Sequence, residues 1–272
     1  MYLEFDIGGS NMRVGVSLDR QTISSSKIVP LTQDFEQGIQ TIKQTADELG
    51  AGEKVEGIAG GIAGPLDKNK TMLVASSHIP GWVNKPFRDR LGEVFNCPVF
   101  LENDSALGGL GEATKGAGAG YNIVAYIALG TAVGGARIVD GKIDQNSLGF
   151  EPGHQLILQN GSPCNCGGRG HLETLVGGYY LEKIYKKRAE DITDPEVWDE
   201  VAKYLGMGLY NTTVHWSPDI IILGGSVTQS IPLEKVQAYL KEYCTVFPTP
   251  PEVVKATLGH DAGLYGPLKL LS

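Results

Sequence analysis

Short apolar runs with the character of β-strands alternate along the chain with helical patterns. Residues 2–7 and 13–18 predict two strands joined by a tight glycine turn, and 23–29 predicts a third strand. Apolar side chains within 35–49 recur every three or four positions, which indicates one buried face of an α-helix. This alternation predicts an α/β protein with mixed β-sheets that carry helices on their faces.

The second half of the chain restarts the same pattern. Strands are predicted at 122–129 and 133–139, joined through Gly130, and the dipeptide Asp140-Gly141 that follows is typical of a hairpin turn. The succession of strand, glycine turn and strand therefore occurs twice, which hints at an internal duplication. Because no linker rich in proline or serine separates the halves, we expect any domain boundary to be a hinge.

The composition narrows the classes of function. A length of 272 residues suggests one large or two modest domains. Lys and Arg number 23 against 31 Asp and Glu, and the net charge of −8 disfavours nonspecific binding to nucleic acid. The start of the chain lacks the basic and apolar regions of a signal peptide, and no apolar run approaches a membrane span. We therefore expect a cytoplasmic protein with no nucleic-acid or membrane partner.

Two glycine turns are candidates for phosphate binding. Asp6 ends a predicted strand just before Gly8-Gly9, and the second turn runs from Gly130 to Gly135. Glycines let backbone N–H groups approach an anion closely, and Asp6 could hold a hydrated Mg²⁺ on the phosphates. An ordinary hairpin would explain either turn alone, whereas the occurrence of both favours a phosphate clamp. Neither turn carries a Walker A or a Rossmann pattern.

A third candidate is the run Glu102-Asn103-Asp104, at the end of a predicted strand. Ligands of open α/β sheets usually lie at the carboxyl ends of strands. Asp104 can accept the proton of an attacking hydroxyl there, and Asn103 can bind a neighbouring hydroxyl. The alternative is that Asp104 simply caps the helix that follows, since Asp is a preferred N-cap residue.

The most specific pattern combines cysteine and histidine. His154 is followed by Cys164, Cys166 and His171, so two thiolates and two imidazoles lie within 18 residues. This set matches the four ligands of a closed structural zinc site, and the intervening glycines let the backbone fold tightly around one ion. The alternative is a surface loop with reduced thiols.

Taken together, the chain resembles the ROK family (repressors, open reading frames and kinases) of the actin/hexokinase-type ATPase superfamily. The matching segments occur in family order and span nearly the whole chain: DIGGSNMR, GIAGPLD, IPGW, ENDSALGGLGE, ALGTAVGG, EPGH, CNCGGRGHLE and ILGGSV. The resemblance implies two actin-like (ribonuclease H-like) domains with a ligand cleft between them. The small domain would comprise 1–103 with a C-terminal helix at about 261–272, and the large domain 104–260 with the zinc loop.

The resemblance also implies roles for individual residues. Asp104 would be the general base that takes the proton from the sugar hydroxyl as it attacks the γ-phosphate of ATP. The implied sugar-binding positions are Gly64, Asp67, Asn103, Asp104, Glu151, His154 and Glu173. The implied positions for ATP and its phosphates are Asp6, Gly8, Gly9, Ser10, Asn11, Gly130, Thr131, Gly134, Gly224 and Gly225. Mg²⁺ would accompany ATP, and a structural Zn²⁺ would be held by His154, Cys164, Cys166 and His171.

The sequence departs from the family pattern at several positions. His171 stands where the family has a third zinc cysteine, Ala132 replaces a common glycine of the second turn, and Ser10 replaces the usual threonine. Imidazole is an acceptable zinc ligand, so the metal site is retained. Because the metal loop carries sugar-binding positions, we expect loss of zinc to weaken sugar binding and to leave the nucleotide turns largely intact.

The favoured function is an ATP-dependent hexose kinase with glucokinase activity at the sugar 6-hydroxyl. The alternative is an N-acetylhexosamine kinase or fructokinase of the same family, and a remote one is a sugar-sensing regulator without a DNA-binding domain. A repressor would carry a helix-turn-helix ahead of the first glycine turn, whereas Asp6 is the sixth residue of this chain. The family resemblance further implies a homodimer.

Overall fold

The computed structural model describes residues 1–9, 11–76 and 79–271. The chain divides into two compact units. The first comprises Met1–Gly111, Gln145–Gly149 and His260–Ser272, and the second comprises Glu112–Asp144 and Phe150–Gly259. The expected division into domains 1–103 and 104–260 stays a prediction. Among the described residues, no helix combines the length and the apolar character that a membrane span requires.

The chain alternates strands and helices from end to end. The strands are β1 (Tyr2–Ile7), β2 (Asn11–Ser17), β3 (Ser25–Pro30), β4 (Gly57–Ile62), β5 (Val99–Asn103), β6 (Ile123–Leu129), β7 (Val133–Val139), β8 (Lys142–Ile143), β9 (Ile220–Gly224) and β10 (Glu252–Lys255). The α-helices are α1 (Phe35–Leu49), α2 (Phe87–Phe95), α3 (Asp104–Lys115), α4 (Glu173–Val176), α5 (Gly178–Tyr185), α6 (Pro195–Trp216), α7 (Leu233–Tyr243) and α8 (Ala262–Leu270). The α/β class expected from the sequence is confirmed.

The first unit is built on a mixed sheet with the strand order β3-β2-β1-β4-β5. β1 pairs antiparallel with β2 and parallel with β4. Along β1 the side chains of Leu3, Phe5 and Ile7 are fully buried in the apolar core. Because side chains alternate between the two faces of a strand, Glu4 and Asp6 lie on the opposite face, and α8 packs against β1 and β4. Asp6 thereby comes to the carboxyl end of a central strand.

The second unit repeats this topology with the strand order β10-β9-β6-β7-β8. The hairpin β6-β7 continues antiparallel into β8 on one side, and β9 and β10 extend the sheet in parallel on the other. The hairpin β1-β2 has the same neighbours in the first sheet, namely β3 on one side and the parallel strands β4 and β5 on the other. The recurrence of strand, glycine turn and strand in the sequence therefore corresponds to two sheets of one topology.

Local signals in the sequence correspond to local structure. Helix α1 occupies the predicted span 35–49, and its N-cap residue Asp34 accepts a hydrogen bond from the backbone N–H of Gln37 at 2.8 Å. Asp140 and Gly141 have φ angles of +50° and +67°, as a tight hairpin turn with two left-handed residues requires, and they connect β7 to β8.

Candidate active site and metal centre

Asn103 ends β5 and Asp104 begins α3, and the two side chains make different contacts. Oδ1 of Asn103 accepts hydrogen bonds from the backbone N–H groups of Ser105 at 3.0 Å and Ala106 at 3.2 Å. Asn103 therefore satisfies N–H groups that the first helical turn leaves without partners. The alternative in which Asp104 is the cap is wrong: Asp104 is already helical, and its Oδ1 accepts a 2.8 Å hydrogen bond from the adjacent N–H of Ser105.

The carboxyl groups of Asp6 and Asp104 belong to the same unit, and the charge of Asp104 acts on Asp6. The pKa of Asp6 is raised from 3.8 to about 7, chiefly by burial and also by the charge of Asp104, against the opposing effect of Arg13. Burial also raises the pKa of Asp104, while the N–H of Ser105 opposes this shift. Carboxylates with raised pKa values are suited to accept a proton near neutral pH, and they can hold a divalent cation once ionised.

Two glycines bring backbone close to this carboxylate pair. A Cβ atom at Gly263, in the first turn of α8, would lie 2.5 Å from Oδ2 of Asp6. A Cβ atom at Gly61, in β4, would lie 3.0 Å from the Cα atom of Asp104. The contact of Gly263 with Asp6 joins residues at opposite ends of the chain, so no local pattern in the sequence indicates it.

The loop after β4 carries two of the predicted sugar-binding residues. Gly64 has a φ of +128°, and its carbonyl oxygen accepts a hydrogen bond from Nδ2 of Asn103 at 3.3 Å. Asp67 binds its own loop: its Oδ1 accepts hydrogen bonds from the N–H groups of Thr71 at 2.5 Å and Met72 at 2.8 Å. Partial burial would raise the pKa of Asp67, but these hydrogen bonds bring it below the ordinary value. Asp67 therefore shapes the loop, and its contact with a sugar stays a prediction.

An ion pair that sequence analysis did not identify joins this loop to β5. Nζ of Lys70 pairs with Oε2 of Glu102, whose side chain is only 10 % exposed. Oε1 of Glu102 also accepts a hydrogen bond from the N–H of Asn103 at 3.0 Å. The pair places a cation two residues from Asp104 along the strand end. Its partners are 32 residues apart, so helical or strand periodicity could not have indicated it.

The first glycine turn joins β1 to β2. The N–H of Gly8 donates to the carbonyl oxygen of Asn11 at 3.1 Å and closes the turn. Among the described residues, a Cβ atom at Gly8 would meet nothing nearer than this carbonyl, at 3.8 Å, so they leave room for a side chain there. Gly9 and Asn11 are exposed beside it. Ser10 lies outside the described residues.

The second glycine turn joins β6 to β7 and is held by the segment that begins α5. The carbonyl oxygens of Gly130 and Thr131 accept hydrogen bonds from the N–H groups of Gly178 at 2.8 Å and Tyr179 at 3.0 Å. Within residues 1–9, 11–76 and 79–271, the N–H groups of Thr131 and Ala132 donate to no protein acceptor, and both residues are exposed. Such N–H groups can bind an anion.

The other predicted nucleotide positions lie on the same sheet. Gly134 pairs with Ala128 across the β6-β7 hairpin, and Gly224 at the end of β9 pairs with Ala128 from the other side. Gly225 has a φ of +88°, and a Cβ atom there would lie 2.3 Å from the carbonyl oxygen of Leu129. The close approach of two parallel strand ends therefore explains a glycine at 225 even without a ligand.

Four side chains of the second unit form a candidate metal centre. Ligand atoms of His154, Cys164, Cys166 and His171 all lie within 4.8 Å of one another. Sγ of Cys164 lies 3.7 Å from Nδ1 of His154, and Sγ of Cys166 lies 3.3 Å from Nδ1 of His171. A tetrahedral zinc ion separates sulfur and nitrogen ligands by about 3.6 Å, given bonds of about 2.3 Å and 2.1 Å. The donor set and its spacing fit zinc, and the position of His171 allows it to be the fourth ligand.

Two carboxylates accompany the metal ligands. Oε1 of Glu173 lies 3.2 Å from Sγ of Cys164 and 4.0 Å from Nδ1 of His154. Oε2 of Glu151 lies 4.0 Å from Nε2, the other ring nitrogen of His154. Nδ1 of His154 thus faces the metal ligands and Nε2 faces a carboxylate. This arrangement is compatible with the expected double role of His154, which stays a prediction.

The whole chain is similar to known sugar kinases. The sequence matches the ROK family over residues 2–272. The chain belongs to the ROK family. It is 28 % identical to the glucokinase of Thermotoga maritima over an alignment covering 98 % of this chain and 95 % of that protein. It is also 28 % identical to the N-acetylgalactosamine kinase AgaK of Shewanella, covering 98 % of this chain and 95 % of that protein.

Solved structures of the family share the fold. The ROK hexokinase of Thermus thermophilus superposes with a TM-score of 0.87 at 29 % identity, covering 98 % of this chain and 96 % of that chain. A ROK family glucokinase of Streptomyces griseus, determined in complex with glucose and AMPPNP, superposes with a TM-score of 0.83 at 26 % identity and covers 99 % and 98 %. The actin-like architecture expected from the sequence is therefore confirmed for the two mixed sheets and their helices.

Proposed function

We propose that this ROK-family sugar kinase transfers the γ-phosphate of ATP to the 6-hydroxyl of glucose, with Asp104 as the general base. The observation that carries the proposal is the strand end at 103–104. Asn103 takes the capping role there, and the half-buried carboxylate of Asp104 is close enough to a second half-buried carboxylate, Asp6, for its charge to act on it. A phosphoryl-transfer enzyme needs a base for the acceptor hydroxyl and an anionic group for the metal that accompanies the nucleotide.

Asp104 would accept the proton as the sugar oxygen attacks phosphorus. Its burial raises the pKa and so makes the carboxylate a stronger proton acceptor than an exposed aspartate. Asp6 would hold the Mg²⁺ that neutralises charge on the transferred phosphate. Asp6 must be ionised for this role, and its pKa of about 7 means that it gains a proton readily when no cation is near.

The sugar would be held by hydrogen-bonding groups rather than by apolar contacts. The positions that the family resemblance assigns to sugar hydroxyls include Asn103, Glu151, His154 and Glu173. The first-turn residues around Gly8 and the N–H groups of Thr131 and Ala132, which have no protein acceptor in the described part of the chain, would bind phosphate oxygens. Zinc at the four ligands would shape the loop that carries the sugar-binding side chains rather than take part in chemistry, because a four-ligand site keeps no open position.

A second sugar is also a candidate acceptor. The similarity to AgaK equals the similarity to the Thermotoga glucokinase at 28 % identity, so an N-acetylhexosamine is the second candidate acceptor. The two candidates differ at the 2-position of the sugar, where an acetamido group needs space that a hydroxyl does not.

A coupled assay of ADP release tests the proposal. The purified protein with Mg²⁺-ATP is offered glucose, mannose, fructose and the N-acetylated forms of glucosamine, mannosamine and galactosamine. We expect the highest kcat/KM with glucose and a product that glucose-6-phosphate dehydrogenase oxidises. A higher kcat/KM with an N-acetylhexosamine would replace glucose by the second candidate. Absence of ADP release with every sugar would contradict the kinase proposal.

A further inference from the structure

The second glycine turn (Gly130–Val133) is bound from one side by residues that directly follow the last metal ligand. Besides the two hydrogen bonds from Gly178 and Tyr179, the N–H of Val133 donates to Oε2 of Glu173 at 3.4 Å. Glu173 comes two residues after His171 in the chain. Three backbone groups of the turn are therefore held by the segment 173–179, whose start is set by the metal ligands.

The opposite end of the metal loop (residues 151–173) packs against the same turn. A Cβ atom at Gly153 would lie 2.2 Å from the carbonyl oxygen of Val133 and 2.9 Å from its Cβ atom. Gly153 immediately precedes the metal ligand His154. Because the two backbones touch without an intervening side chain, a shift of His154 would displace Val133 directly.

The side chain of Glu173 connects the metal ligands to the second glycine turn. The thiol of Cys164 donates a hydrogen bond to its Oε1 at 3.2 Å, and its Oε2 accepts one from the N–H of Val133. Zinc would bind Cys164 as a thiolate, which has no proton to donate, so metal binding would alter the contact on the Oε1 side. The side chain is only 9 % exposed, so neighbouring atoms restrict its position. The carboxylate thus contacts a metal ligand with one oxygen and the nucleotide turn with the other.

The metal loop itself has little regular secondary structure. Within the described residues it contains only a single turn of 3₁₀-helix at Pro152–His154 and the isolated bridges Leu156↔His171 and Pro163↔Arg169. Backbone hydrogen bonds already cross the loop, among them those from the N–H of Leu172 to Gln155 at 3.0 Å and from the N–H of Gly170 to Ser162 at 2.8 Å. Bonds from four side chains to one ion would add further cross-links.

We propose that the metal loop positions the second glycine turn, so that metal occupancy sets the affinity for the phosphates of the nucleotide. The inference rests on the proposed function, because it takes the N–H groups of Thr131 and Ala132 as phosphate ligands. It argues against the expectation from the sequence that loss of zinc leaves the nucleotide turns intact. Glu173 and Gly153 act as positioning residues in this arrangement.

Calorimetric titration with Mg²⁺-ADP, in the absence of sugar, tests the coupling. We compare zinc-loaded protein with protein stripped by a chelator and expect a Kd for ADP at least about fivefold higher after stripping, the lower bound of typical coupling between sites. By thermodynamic reciprocity, saturating Mg²⁺-ADP should lower the Kd for zinc by the same factor, measured by competition with a zinc-binding dye.

A substitution at Gly153 can disturb its contact with Val133 without removing a metal ligand. Gly153→Ala places a methyl group against the carbonyl of Val133 and leaves all four ligands in the chain. It should retain about one zinc per chain by elemental analysis and still bind ADP more weakly than wild type. Asn165→Ala, at an exposed position between the two cysteines, is the matched control and should keep wild-type values for both.

The outcomes distinguish this inference from the kinase proposal. Equal ADP affinity in loaded protein, stripped protein and Gly153→Ala would overturn the inference and leave the kinase proposal standing. If circular dichroism shows that stripping unfolds the protein, Gly153→Ala decides, since it keeps its metal. Failure of zinc-loaded wild type to bind Mg²⁺-ADP at all would overturn both.

Discussion

Glu4 offers a stability prediction that depends on the fold alone. It lies in the middle of β1 with 0 % of its surface exposed, and neither carboxyl oxygen has a hydrogen-bond partner among the described residues. Its neighbours across the sheet are Gly15 and Ala59, which leave room for the side chain but offer no polar group. Burial raises the pKa of Glu4 from 4.5 to about 9, the nearby backbone of Glu4 itself opposes this shift, and the charge of Asp19 adds to it. Glu4 is therefore uncharged in the folded protein at neutral pH.

The change that Glu4 causes in the free energy of unfolding with pH follows from proton linkage. Between pH 4.5 and about 9 the folded state keeps a proton that the unfolded state has released. The free energy of unfolding therefore falls by about 1.4 kcal/mol for each pH unit in this window and levels off above it. At pH 7 the accumulated loss is about 3 kcal/mol, a large part of the 5–15 kcal/mol that is typical of folded proteins.

Glu4→Gln removes the ionisation and nearly keeps the shape. We expect urea unfolding to give similar stabilities for wild type and variant near pH 5, with wild type falling behind by about 4 kcal/mol more between pH 5.5 and 8.5. Glu53→Gln, an exposed substitution in the same unit, is the control and should follow wild type at each pH. Hydrogen exchange of the β1 amides localises the effect to the first unit. Parallel pH profiles for wild type and Glu4→Gln would refute the reasoning, because they would mean that Glu4 is already ionised in the fold.

Three further predictions concern the candidate active site. Asp104→Asn should lower kcat at least about 100-fold, because the amide cannot accept the hydroxyl proton. The thermal midpoint of unfolding should stay close to that of wild type, since Asn103 supplies the helix cap. Near-normal turnover would show that Asp104 is not the base. Gly8→Val should raise KM for ATP far more than KM for sugar, because the described residues leave room for the valine side chain whereas a bound phosphate would collide with it. A selective loss of sugar affinity would contradict this placement of the phosphates. Affinity for Mg²⁺ in the presence of ADP should fall about tenfold for each pH unit below about 7, because protonation of Asp6 competes with the cation. The variant Asp6→Asn should bind Mg²⁺ weakly at every pH. An unchanged pH dependence in that variant would exclude Asp6 as the group responsible.

The sequence by itself determined the features whose causes are local. Helix α1 follows from apolar spacing and from Asp34 as its cap, and the turn at Asp140-Gly141 follows from residues that tolerate positive φ. The grouping of His154, Cys164, Cys166 and His171 was also predictable, because the four residues lie within 18 positions of the sequence and offer the donor atoms that zinc prefers. Membership of the ROK family likewise rested on short motifs in a fixed order.

Tertiary structure alone decided the features that depend on distant neighbours. Asn103 and Asp104 are both good cap residues. Only the point at which β5 ends and α3 begins decides that Asn103 caps the helix and that the charge of Asp104 acts on Asp6. Glu4 resembles any polar residue that interrupts a strand until α8 and two small neighbours close it off from water. The hydrogen bond from Val133 to Glu173 spans 40 residues, and the contact of Gly263 with Asp6 spans nearly the whole chain. Periodicity and turn chemistry act over a few residues, so they cannot indicate which distant groups meet; packing of the sheets and helices determines those contacts, and with them the charges and restraints of the site.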